Sequence, residues 1–193
     1  MHDTKFNTLR KFYFKNHYIP SFRELADLFN LQSPGAVGYW INRWKDQGYI
    51  DVNKEKLIPT DTFFEFPLLG SIQAGFPSEE QENYETIRIE PFNIQHPADT
   101  FVLKVRGDSM LGAGIIEGDL VVLDKSMRPK SNDIIAAYID DAWTLKYYFD
   151  KNGRIFLKAA NKKYKDIFPK RKLEIGGVVI KVIREYRSYA RTS

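Results

Sequence analysis

Residues 21–44, Ser21-Phe22-Arg23-Glu24-Leu25-Ala26-Asp27-Leu28-Phe29-Asn30-Leu31-Gln32-Ser33-Pro34-Gly35-Ala36-Val37-Gly38-Tyr39-Trp40-Ile41-Asn42-Arg43-Trp44, hold two helix starts twelve residues apart. Ser21 and Glu24 make a capping box, in which hydroxyl and carboxylate satisfy the free N–H groups of a first turn. Ser33-Pro34 repeats the signal, with serine as cap and proline at the first helical position. Phe22, Leu25 and Phe29 mark the inner face of the first helix. Val37, Ile41 and Trp44 form the inner stripe of the second, which Gly48 stops. Two short helices joined by Phe29-Asn30-Leu31-Gln32 are the pattern of a helix-turn-helix, whose second helix enters the major groove of double-stranded DNA. The same pattern also serves small helical modules that bind protein.

Outward from this core, Phe6, Leu9 and Tyr13 recur at helical spacing over residues 4–16, with Arg10, Lys11 and Lys15 around them, and Asn16-His17-Tyr18-Ile19-Pro20 ends that helix. Downstream, Tyr49-Ile50-Asp51-Val52, a polar turn at residues 53–56 and Leu57-Ile58-Pro59-Thr60 read as a hairpin, making residues 1–60 a winged helix-turn-helix. These residues carry nine basic and six acidic groups, a modest excess compatible with nucleic acid. Beyond Thr60 the periodicity shortens. Apolar runs at residues 101–105, 120–123, 134–139, 143–149, 155–157 and 178–183 predict strands of a mostly β second domain over 67–193, after a linker at 61–66. Residues 76–86, with four acids and little that is apolar, read as an exposed loop. The expected class is therefore α+β, in two domains.

Composition narrows the chemistry. The chain has 193 residues, a formal charge of +4 and no cysteine, which excludes disulfides, cysteine metal sites and a thiol nucleophile. No apolar run reaches the roughly 18 residues of a membrane span, so the expectation is a cytoplasmic protein without membrane or anchor. His2 and His17 flank the first helix and His96 reads as a surface residue, so no Ser-His-Asp triad is legible, and no metal-ligand spacing or cofactor motif stands out. A serine nucleophile would have to use a lysine base. Ser109, in Gly107-Asp108-Ser109-Met110, follows a strand on a turn. Lys146, in Trp143-Thr144-Leu145-Lys146-Tyr147-Tyr148-Phe149, shares a strand face with Thr144 and Tyr148. By themselves these read as a turn serine and a solvated lysine.

Taken in order, however, the motifs resemble the LexA family of self-cleaving transcriptional repressors. The resemblance runs through Ile19-Pro20-Ser21-Phe22-Arg23-Glu24-Leu25-Ala26 with Ser33-Pro34; Pro67-Leu68-Leu69-Gly70-Ser71-Ile72-Gln73-Ala74-Gly75; Gly107-Asp108-Ser109-Met110; Ile116-Glu117-Gly118-Asp119-Leu120-Val121-Val122; Thr144-Leu145-Lys146; and residues 177–184. The intervals Ala74 to Ser109 and Ser109 to Lys146, 35 and 37 residues, match the family pattern. The resemblance implies a LexA/signal-peptidase-like second domain in which Ser109 is the nucleophile and Lys146 the general base. Its substrate would be the Ala74-Gly75 bond of the chain itself, within a cleavage segment at 67–77, with no small-molecule substrate or cofactor.

The implied partners are operator DNA, a second copy in a homodimer, and a RecA-type recombinase filament on single-stranded DNA as trigger, in a bacterial, nucleoid-associated setting. DNA-facing candidates are Ser21, Ser33, Gly35, Ala36, Gly38, Tyr39 and Asn42, with Arg23, Arg43, Lys54 and Lys56 at phosphates. Two glycines in the recognition helix cannot read base edges, which leaves readout to Ser33, Tyr39, Asn42 or DNA shape. Gln73 is larger than the family's residue before the scissile alanine. Asp108 beside Ser109 would oppose deprotonation of Lys146 if it came close. A prophage repressor of the same architecture, or a non-cleaving repressor whose second domain only dimerises, fits the same motifs. A polymerase-accessory protein of the UmuD kind does not account for residues 1–60.

Overall fold

In the computed structural model, which describes residues 3–53, 56–71, 85–139, 142–169 and 172–186, Asp3 begins the first helix, α1 (Thr4–Asn16). One of its carboxylate oxygens accepts the N–H groups of Lys5 and Phe6, and the other accepts the indole N–H of Trp44 at 3.1 Å. Helix α1 closes at His17, in left-handed backbone at φ 61°. Helix α2 (Phe22–Leu28) has the expected capping box, with the Ser21 N–H and hydroxyl both donating to Glu24 Oε2, at 2.9 and 2.7 Å. Helix α3 (Pro34–Asp46) starts at Ser33, whose hydroxyl accepts the Ala36 N–H. Val37, Ile41 and Trp44 are buried as the periodicity requires. Gly48 takes φ +73° to turn the chain into β1 (Ile50–Asn53), which pairs antiparallel with β2 (Lys56–Pro59). The three helices fit a helix-turn-helix.

Two side chains depart from the reading above. Phe22 is 53% exposed. A seven-residue helix buries little more than one turn, and Leu25, only 1% exposed, takes that place. Arg10, expected on the solvated side of α1, is buried. Its guanidinium lies 4.3 Å from the Phe66 ring and 5.5 Å from Phe14, and its Nη2 donates to the Glu65 carbonyl at 3.0 Å. Burial lowers its pKa to about 10.

The cage around Arg10 explains residues 61–66. They form a 3-10 turn, Asp61–Phe64, and the start of β3 (Glu65–Ser71), and Phe63 and Phe66 are wholly buried. Strand β4 (Glu85–Arg88) runs beside them. The Ile89 N–H donates to the Phe64 carbonyl at 3.1 Å, and Arg88 pairs with Asp61 at 3.2 Å. Ile89 and Ile94 add to the core. The first compact unit is therefore Met1–Phe66 together with Thr86–Ala98, and the second is Pro67–Glu85 with Asp99–Ser193.

The second unit is a sheet. Strands β5 (Thr100–Lys104), β6 (Leu120–Asp124), β7 (Ile134–Ile139), β8 (Ala142–Lys151), β9 (Arg154–Lys158) and β10 (Glu174–Ile183) join β3 in the order β3-β5-β6-β10-β7-β8-β9. All neighbours are antiparallel except β3 on β5, where Leu68 lies opposite Val102. Residues alternating along the strands feed two apolar clusters. One holds Phe101, Leu103, Val121, Leu123 and Leu145; the other holds Ile135, Ile139, Tyr148, Leu157 and Val178. The loop between β5 and β6 is closed at its base by Val105 N–H to Asp119 O at 2.8 Å. Asp119 itself is buried in a two-pronged pair with Arg184, at 2.6 and 2.7 Å.

Candidate active site

Strand β5 ends where the chain turns at Gly107, φ +82°, and this turn sets Ser109 at the mouth of an open cleft of about 150 Å³. Met110 anchors the turn in the core. The next turn, Leu111–Ala113, is held by the Gly112 N–H donating to Ala160 O at 2.7 Å. A Cβ at Gly112 would stand 2.1 Å from that oxygen, so this approach of two backbones requires glycine.

Strand β8 supplies the opposite wall. Lys146, read from its strand alone as solvated, is only 4% exposed. Its Nζ donates to Ser109 Oγ at 2.9 Å, to Thr144 Oγ1 at 2.6 Å and to the Leu145 carbonyl at 3.0 Å. Burial lowers its pKa from 10.5 to about 8, because an ammonium loses hydration there that two neutral hydroxyl acceptors and a carbonyl do not replace. Asp108, the carboxylate beside Ser109, is engaged elsewhere. It accepts hydrogen bonds from the Tyr164 hydroxyl, from Asn161 Nδ2 at 3.1 Å and from Lys163 Nζ at 3.4 Å, and its pKa lies below the usual carboxylate range chiefly through Tyr164.

The geometry thus joins a hydroxyl and an amine of lowered basicity at one open cleft. That set can perform acyl transfer without histidine or metal. Asn161 and Tyr164 escaped the sequence reading. Thr144 was visible as a face-mate of Lys146, but Asn161 and Tyr164 lie over fifty residues from Asp108 and no local pattern announces them. Ala74, Gly75 and Gln73, and most of the loop expected at 76–86, lie outside the described residues.

In the first unit, Ser21, Arg23, Ser33, Gly35, Tyr39, Asn42, Arg43 and Lys56 are exposed, Ala36 and Gly38 are half-buried, and Lys54 lies outside the described residues. Helical period brings Gly35, Gly38, Tyr39 and Asn42 to one side of α3. Arg43 is partly committed, 3.9 Å from Asp3 and over the Trp40 ring at 5.5 Å. His96 belongs to this unit, and Ser109 to the other.

Residues 67–180 match the Peptidase S24-like family. Over nearly its whole length the chain is similar to the LexA repressor of Clostridium perfringens strain 13, 32% identical across 95% of this chain and 94% of that one. The LexA repressor of Carboxydothermus hydrogenoformans is 31% identical over 92% of both chains. That of Verrucomicrobium spinosum is 41% identical over 63% of this chain and 61% of its own. Among the described residues no helix is long and apolar enough to cross a membrane. With a Peptidase S24-like domain across most of its length and relatives that match it nearly end to end, the chain belongs to the LexA family of repressors.

Proposed function

We propose that the chain represses transcription by binding operator DNA through a winged helix-turn-helix in residues 1–60, and is inactivated when it cuts its own Ala74-Gly75 bond. The observation that carries this reading is the 2.9 Å hydrogen bond between Lys146 Nζ and Ser109 Oγ, in a site whose burial favours the neutral amine. Neutral Lys146 takes the Ser109 proton as Oγ bonds to the Ala74 carbonyl carbon. The same proton passes to the Gly75 nitrogen as the C–N bond breaks. Lys146 then accepts a proton from water as the water oxygen bonds to the Ala74 carbonyl carbon, and returns that proton to Ser109 Oγ as the ester C–O bond breaks. Tethering makes a modest nucleophile sufficient, since the substrate never has to be captured from solution. Restraint comes from population: the reaction waits until the segment occupies the cleft, and a RecA-type filament on single-stranded DNA favours that state.

On the DNA side, Ser33, Tyr39 and Asn42 reach base edges, Gly35, Ala36 and Gly38 let the groove approach closely, and Ser21, Arg23, Arg43, Lys54 and Lys56 contact the backbone. A homodimer bound to two half-sites, in the bacterial cytoplasm at the nucleoid, completes the reading. The test is intact-mass analysis of purified protein held at pH 9, beside Ser109→Ala and Lys146→Ala. The expected products are residues 1–74 and 75–193 from the parent chain only. Cleavage elsewhere, or cleavage surviving either substitution, refutes the assignment. An uncut chain even with an activated filament refutes self-cleavage and leaves a non-cleaving repressor.

A further inference from the structure

The cleft holding Ser109 and Lys146 is covered on one side by a segment that takes no part in proton transfer. Residues 161–164 leave the end of β9 directly after Ala160, whose carbonyl is pinned to Gly112. From this fixed root Asn161 donates through Nδ2 to the Asp108 backbone carbonyl at 2.9 Å and to its carboxylate at 3.1 Å. Tyr164 donates its hydroxyl to the other carboxylate oxygen. The Tyr164 ring meanwhile lies over Lys146, with Nζ 5.8 Å from its centroid. One phenol thus touches both groups, its ring screening the amine and its hydroxyl occupying Asp108.

The arrangement matters because Asp108 lines the same cleft as Lys146 and is bonded in sequence to the nucleophile. A carboxylate free to turn toward a buried ammonium pairs with it, stabilises its charged form and sets an ion pair across Ser109. Of the charged and titratable groups around Lys146, the turn before Ser109 contributes Arg106 and Asp108, and the covering segment contributes Tyr164, with Lys163 bound to Asp108. Strand β7 sets uncharged Ile135 opposite Lys146, and β8 adds Thr144, the Leu145 carbonyl and, two residues along the same face, the neutral phenol of Tyr148. Asp108 is thus the one acid lining the cleft among the described residues, and it is turned away by bonds to a single short segment.

We propose that Tyr164 is a positioning residue for self-cleavage, holding the Asp108 carboxylate off the Lys146 amine so that the amine is free to accept the Ser109 proton; this rests on the dyad proposed above. Tyr164→Phe keeps the ring and removes only the hydroxyl, at a side chain 46% exposed. The full chain is followed in two ways: self-cleavage rate against pH by intact mass, and titration of Lys146 by NMR of protein carrying 13C-labelled lysine, assigned with Lys146→Ala. Tyr164→Phe raises both midpoints by about one pH unit, and below the midpoint cleavage slows about tenfold. Adding Asp108→Asn to Tyr164→Phe returns both to the parent values. An unmoved Lys146 midpoint in Tyr164→Phe, or a shift that persists with Asp108→Asn, overturns the proposal. A chain that never cuts yet shows the Lys146 shift and its rescue upholds the role of Tyr164 and refutes the dyad alone.

Discussion

Gly35 and Gly38 stand in a thirteen-residue helix, where glycine is a poor choice, and nothing in the fold asks for it. Neither takes a positive φ, and a Cβ built on either meets no heavy atom within 4 Å. Replacing a glycine by alanine in a helix interior gains about 1 kcal/mol at Gly38, and about half of that at Gly35 in the first turn, largely by restricting the unfolded chain. The sum, about 1.5 kcal/mol, corresponds to a rise in melting temperature of about 6–12 °C for a unit of this size. Calorimetry of full-length Gly35→Ala/Gly38→Ala beside the parent reads this directly in the transition of the first unit. In the proposed function the two new methyl groups sit on the face that meets DNA, so operator affinity falls as stability rises. A melting temperature that stays level or drops would refute the reasoning, because it would mean that the glycines serve the fold itself.

Two further outcomes follow from the charged groups of the second unit. With the Lys146 pKa at about 8, the self-cleavage rate should rise about tenfold from pH 7 to pH 9 and then level off, whereas an ordinary lysine would give about a hundredfold rise that continues upward; a continued rise through pH 10 would show that burial does not tune this amine. Asp119 has its carboxyl held below the usual range, chiefly by Arg184, so the stability it confers is complete above the unfolded carboxylate pKa and is lost as pH falls through the folded value. Arg184→Gln leaves that carboxylate buried without its partner. It should destabilise the second unit and move acid unfolding to higher pH. Circular dichroism against pH and urea checks both effects, and unchanged acid unfolding would refute the role given to the pair.

Local chemistry made the helices legible. Ser21 with Glu24, Ser33 with Pro34, and Gly48 each act within a few residues of themselves, and the sequence alone placed those helix boundaries well. Strands β5 to β10 were legible as apolar runs. Strands β3 and β4 were not, because β3 contains Pro67 and Gly70 and its place is set by parallel pairing with β5, more than thirty residues away. Charge misled at Arg10 and, from the strand alone, at Lys146. Alternation says which neighbours share a face, but burial depends on what covers it, and the Phe66 ring and Tyr164 arrive from elsewhere in the chain. Ser109 and Lys146 could be joined only through the order of motifs along the whole chain, and the Asn161–Tyr164 cover left no signal of that kind.

The division of the chain into units gives a cut at Ala74-Gly75 an unusual topology. The first product would keep Leu68 of β3, which pairs with Val102 in the sheet of the second unit. The second product would keep residues 86–98, whose Ile89 and Ile94 are buried in the first unit. Each fragment would thus keep residues that belong to the other unit, and hydrolysis alone would leave the β3–β5 pairing and the burial of Ile89 and Ile94 in place. Parting the fragments demands that β3 peel from β5 and that the 86–98 segment withdraw from its core, so loss of repression would be timed by local unfolding as well as by the chemistry of the bond.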